Sequence, residues 1–221
     1  MNFDEWINFI FDHSVTEPAW YWDASDEWDG HDLSEAQTVE YLTELFERAG
    51  TLLEPFSDAQ PNQGLMMLVS GSYSDCMHSL RDQEVPLPDR LRGIQAMESL
   101  FEQCFALRCS PFLSHLDEPG VNPLNAVCYM WWDVIPIHGL AYHCPELADS
   151  VALDQACLAV MQKILKMDSV ACQESALHGL GHWKSYYADP TNFITDFLKR
   201  HRKIRAELKE YALRAREGYV I

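Results

Sequence analysis

The sequence is short of positive charge where negative charge is densest. Its first 60 residues hold one basic residue, Arg48, against fifteen acidic ones, and no lysine precedes Lys163. A field of that sign repels phosphate and anionic lipid, which argues against broad electrostatic binding of nucleic acid or of a membrane surface. Long hydrophobic runs are lacking too. The strongest, over 126–137, is broken by Asp133 and Pro136, well short of the ~18–20 apolar residues a bilayer span needs. Glycine and proline number 10 and 11 in 221 residues, too few for a collagenous or low-complexity chain. The hydrophobic share of 48% is ample for a packed core. There is no C-x-x-C pair: Cys104…Cys109 and Cys76-Met77-His78 come nearest, and neither has a zinc-site partner at the usual spacing. Glycine-rich phosphate loops, G-x-S-x-G elbows and Cys–His nucleophile patterns are also missing.

What is present begins with segregated charge. The net charge of −18 divides into −14 over residues 1–60, −7 over 61–150 and +3 over 151–221. Cys104, Cys128, Cys157 and Cys172 sit inside apolar helical patterns and read as buried thiols. Residues 1–6 have no basic stretch of the kind that opens an export signal. Reduced cysteines and a cytoplasmic setting are the resulting expectation.

Apolar spacing of three and four recurs along the chain, and no segment alternates with period two. The pattern predicts an all-α protein of one domain over 1–221. Its helices form antiparallel pairs: 34–49 with 58–70, 88–107 with 123–135, and 147–166 with 169–184. Ser34 and Gln37 match a capping box, and Pro88 suits a first helical turn. Beyond Asp189-Pro190, the residues Phe193, Phe197, Ile204, Leu208, Tyr211 and Ala215 trace the apolar side of one basic capping helix over 190–216. Residues 1–33 form an acidic, aromatic N-terminal segment.

The segment Ala171-Cys172-Gln173-Glu174-Ser175-Ala176-Leu177-His178-Gly179-Leu180-Gly181-His182-Trp183 resembles the second helix of a HEAT-like repeat, with Ala176, Gly179 and Gly181 allowing close helix approach. Gln63-Gly64-Leu65 and His178-Gly179-Leu180 fall at similar places in their helices. The resemblance is clearest over 147–184. It implies an irregular HEAT-like α-solenoid of stacked pairs and a protein-binding scaffold. It brings no catalytic residues with it.

Three stretches carry candidate chemistry. Glu174, His178 and His182, at i, i+4 and i+8, fall within an arc of about 80° on one helix face. Two imidazoles four apart plus a carboxylate can hold a divalent metal. The segment is His-Gly-Leu-Gly-His, without the general base of a zinc hydrolase. The other reading is a histidine pair facing solvent on the inner surface of the solenoid. His138, His143 and Cys144 lie in a loop that could join that site or remain solvated. Residues 17–32 hold six acids, no bases, three Trp and one Tyr. Trp20, Trp22, Asp23, Asp26, Glu27, Trp28 and Asp29 suit recognition of Lys and Arg by cation–π contact and charged hydrogen bonds; alternatively the tryptophans pack down as a lid. An EF-hand loop counted from Ser25 fails, since its twelfth position is Ala36. The basic run from Lys199 to Arg205 reads as the polar side of the last helix, or as a contact to phosphate or to the acidic segment of this or a second copy. The expected function is a non-enzymatic scaffold, of immunity type in a bacterium or an adaptor, that engages a basic partner through its acidic N-terminal half. The alternative is a metal-dependent enzyme centred on His178 and His182.

Overall fold

Three helix starts among the described residues follow local side-chain hydrogen-bond chemistry. In the computed structural model, which describes residues 1–22 and 33–220, α1 (Phe3–Phe11) opens on a capping box. Asn2 accepts from the Glu5 N–H, and the Glu5 carboxylate accepts from the Asn2 N–H. Helix α2 (Glu35–Glu47) starts the same way at Ser34 and Gln37, which satisfies two amides that a helix start leaves bare. A short α3 (Ala49–Leu52) and α4 (Ala59–Val69) follow. Helix α5 (Leu87–Leu100) has proline in its first turn and runs through a π-helical turn at Phe101–Phe105 into α6 (Ala106–Arg108). Then come α7 (Leu124–Val134), α8 (Leu140–His143), α9 (Ser150–Ile164) and α10 (Val170–Trp183), the last capped by the Ser169 hydroxyl. The described chain is all-α, with no strand among the described residues.

The C-terminal region departs from the single helix expected over 190–216. The backbone leaves the helix at His201, turns over 201–205 and starts again, giving α11 (Asp189–Arg200) and α12 (Ala206–Arg216). The reason is length. One straight helix over 190–216 would run about 40 Å, whereas α10 spans about 21 Å. Only a turn lets Ile194 and Phe197 of α11 and then Leu208, Tyr211, Ala212 and Ala215 of α12 all be buried. The turn is pinned at Arg205, whose guanidinium donates to both Glu118 oxygens at 3.0 and 2.6 Å.

Helix α2 packs on α5 and α5 on α9, while α4 packs on α7, α7 on α10 and α10 on α12. Buried apolar side chains from Trp6 to Ala215 form one connected cluster. Helix α10 lies inside it, touching α7, α9, α11 and α12. It buries Gln173, Glu174, Ser175 and His178 as well as Cys172, Ala176, Leu180 and Trp183. Solvent on the histidine face, one of the expectations above, is therefore not found at His178: α12 covers that face with Tyr211. Gly179 sits where three helices converge. A Cβ there would lie 2.8 Å from Trp132 Cγ on α7 and 2.9 Å from Met161 Sδ on α9. No helix among the described residues is long and apolar enough to cross a membrane.

Candidate functional site

Helix α10 aims His178 and His182 at the C-terminal end of α7, and the two imidazoles meet Asp133. His178 Nε2 and His182 Nε2 are 3.2 Å apart, and His182 Nε2 is 3.4 Å from Asp133 Oδ1. All three ligand atoms lie within 4.8 Å of one another, the one such group of three His, Cys, Asp or Glu among the described residues. On its other side, His178 Nδ1 lies 2.6 Å from the Tyr211 hydroxyl, which is itself 3.1 Å from the Tyr129 hydroxyl. Tyr129 packs against the His178 ring at 4.3 Å between centroids. Burial, helped by His182 and His115, lowers the His178 imidazole to about 3. Removing a charged ring from water disfavours it, so His178 is neutral near pH 7. His178 is 2% exposed, while the His182 and Asp133 side chains are 35% and 37% exposed. The cluster is thus closed at the bottom and open at the top.

Glu174, the third member expected from spacing, faces elsewhere. Its carboxylate accepts from the Ser114 N–H at 2.9 Å and the His115 N–H at 3.1 Å, and meets His115 Nδ1 at 2.6 Å. Two backbone donors and an imidazole hold the buried carboxylate in place. It anchors the loop before α7 to α10, and His115 in turn stacks on Tyr211 at 4.1 Å. The carboxylate beside the histidine pair is Asp133, from the Trp131-Trp132-Asp133 stretch of α7. In the sequence, Asp133 registers only as a break in an apolar run. The clue available was a lone acid directly after two tryptophans on a largely apolar helix.

Other candidate groups fall into separate places. His138 and His143 lie with ring centroids 5.7 Å apart, and His143 Nε2 is 3.0 Å from the Tyr186 hydroxyl. Among the described residues, neither they nor Cys144 join the α10 pair in a ligand set. Burial lowers the His138 imidazole. The cysteines are all free. Three of them gather: the Cys128 thiol is in hydrogen-bonding contact with Cys109 and Cys172, and burial pushes it well up. This thiol cluster joins helices α7 and α10 to the chain after α6. No spacing rule in the sequence points to it.

At the N-terminal end, the two expectations for the tryptophans divide between residues. Trp20 packs down, stacked on His13 at 3.8 Å and edge-on to Phe9 at 5.7 Å. Trp22 stays out, 59% exposed, resting on Tyr73 at 5.6 Å, with Tyr21 on the same ring at 4.7 Å. Asp23, Asp26, Glu27, Trp28 and Asp29 lie outside the described residues. Also on the acidic half, a cleft of about 540 Å³ between α2 and α5 is edged by Glu40 and Asp89 and by the ion pairs Arg48–Glu44 and Arg92–Glu47. At the opposite end, Lys199, Arg200, Arg202 and Lys203 surround the turn between α11 and α12. Comparison with protein-family models, with curated proteins and with solved structures gives no match to this chain.

Proposed function

We propose that the protein is a non-enzymatic scaffold, built as an irregular HEAT-like α-solenoid, that binds a basic protein partner through its acidic N-terminal half. The observation that carries this reading is an aromatic shelf in which Trp22 and Tyr73 are exposed and Tyr21 lies half-buried against Tyr73. It continues in sequence into a stretch with five acids and no base over 23–32. An exposed Trp costs little ordering entropy and offers a π face to Lys or Arg, and such residues dominate interface energetics. The solenoid reading is supported by two rows of neighbours, α2–α5–α9 and α4–α7–α10–α12. In a solenoid each helix pair buries its face on the next. A toxin-neutralising or adaptor role in the cytoplasm suits such a surface.

The test starts from a partner captured at low salt and then purified. Binding should weaken about tenfold for Trp22→Ala, roughly the 1.4 kcal/mol of a moderate hot spot. It should also fall steeply as salt rises from 50 to 500 mM. Affinity indifferent to both the substitution and the salt would sink the reading.

A further inference from the structure

We infer that His178, His182 and Asp133 form a binding site for one divalent ion of the zinc class, with a coordination position open to solvent. The case rests on convergence. Ligand atoms around a tetrahedral zinc ion at about 2.0–2.1 Å are separated by about 3.3 Å. Two of the three edges match, 3.2 Å between the two Nε2 atoms and 3.4 Å from His182 Nε2 to Asp133 Oδ1, and the third lies within 4.8 Å. The ligands come from two packed helices, α7 and α10, so the cluster is held by the core rather than by loops. Gly179, between the two histidines, is what lets those helices approach closely enough.

The surroundings fit the same role. A metal-bound imidazole needs its second nitrogen held by a partner, which fixes the tautomer and the ring. The Tyr211 hydroxyl, 2.6 Å from His178 Nδ1, is that partner. With Nδ1–H donating to that hydroxyl, Nε2 keeps its lone pair on the side facing His182. Tyr129 and Tyr211 close the buried side, and the part-exposed His182 and Asp133 leave the entry path. Two nitrogens and one oxygen suit zinc and cobalt better than magnesium or calcium, which favour all-oxygen shells. The site shares no residue with the aromatic shelf of Tyr21, Trp22 and Tyr73, so it stands or falls independently of the scaffold reading.

The experiment uses the full chain, stripped with chelator and dialysed. Zinc is titrated by calorimetry, and cobalt is added as a visible probe. The expected result is one equivalent bound, with a cobalt ligand-field band and no thiolate charge-transfer band. His182→Gln and Asp133→Asn change part-exposed side chains and are checked for folding by circular dichroism; each should weaken zinc by more than about 100-fold. Tyr211→Phe, which removes only the outer hydroxyl, should cost about 10–100-fold. Glu174→Gln should bind zinc like the parent, because that carboxylate is engaged by residues 114 and 115. Three results would overturn the site: no saturable binding, binding unchanged in folded His182→Gln and Asp133→Asn, or a thiolate band that places the ion on Cys109, Cys128 and Cys172.

Discussion

Substituting Gly179 by alanine probes the packing that brings the two histidines to Asp133. The new methyl would lie 2.8 Å from Trp132 Cγ and 2.9 Å from Met161 Sδ, inside the distance real Cβ atoms keep. Trp132 cannot retreat: it is fully buried and stacked on Phe101 at 6.0 Å. Overpacking of this kind costs about 1–3 kcal/mol, and the helix-propensity gain of alanine over glycine returns about 1 kcal/mol. The net loss is up to about 2 kcal/mol. For a chain of this size that lowers Tm by up to about 8 °C. Gly181→Ala is the matched control. Its methyl meets the Val220 side chain, including Cγ2 at 3.0 Å, in the part-buried stretch after α12 and not in a helix of the core. Alanine there should leave Tm unchanged or raise it slightly. Thermal and urea unfolding followed by circular dichroism read both variants. Because Asp133 follows Trp132, Gly179→Ala should also weaken zinc binding while Gly181→Ala does not. Equal stability of the two variants, or a larger loss at Gly181, would refute the packing argument.

Three further outcomes follow from named contacts. Asp154 is fully buried and accepts from the Leu140 and Ala141 N–H groups, both at 2.9 Å, and from the Tyr187 hydroxyl at 2.5 Å. Asp154→Ala leaves those donors unmet and should cost about 2–4 kcal/mol in urea unfolding. Glu118 is held down to about 2, against an ordinary 4.5, by hydrogen bonds from Arg205 and from the Leu113 N–H. Its folded-state value is depressed, so its contribution is complete above 4.5 and is lost as pH falls towards 2. Glu118→Gln should flatten the acid side of the stability profile in that window and leave the shape near neutrality alone. Arg205→Ala removes the same pin, and limited proteolysis should then cut the turn at 201–205 sooner than in the parent.

The all-α character was legible because the period of three to four is sustained and helix starts are written locally, as at Ser34 and Gln37. Most helix bounds fell within a few residues. What the sequence could not carry depended on partners far along the chain. The break at 201–205 interrupts no apolar spacing; it is imposed by the length of α10 and by Glu118. The burial of His178 comes from Tyr211, which lies 33 residues further on. Glu174 shares an arc with the histidines, which is all that helical spacing can report. The backbone amides of Ser114 and His115 then claim it. Asp133 joins instead because α7 crosses α10, a fact of tertiary packing. At the N-terminus, composition marked the tryptophans but could not tell Trp20, which stacks on His13, from Trp22, which stays exposed.

X-ray absorption at the zinc edge of the loaded protein tests the histidine–aspartate centre most directly. Two imidazole nitrogens and oxygen ligands, all at about 2.0–2.2 Å with the outer-ring scattering of histidine, are the predicted shell. That shell should lose one imidazole in His182→Gln. Sulfur scatterers at about 2.3 Å, or a shell of oxygen alone, would contradict it.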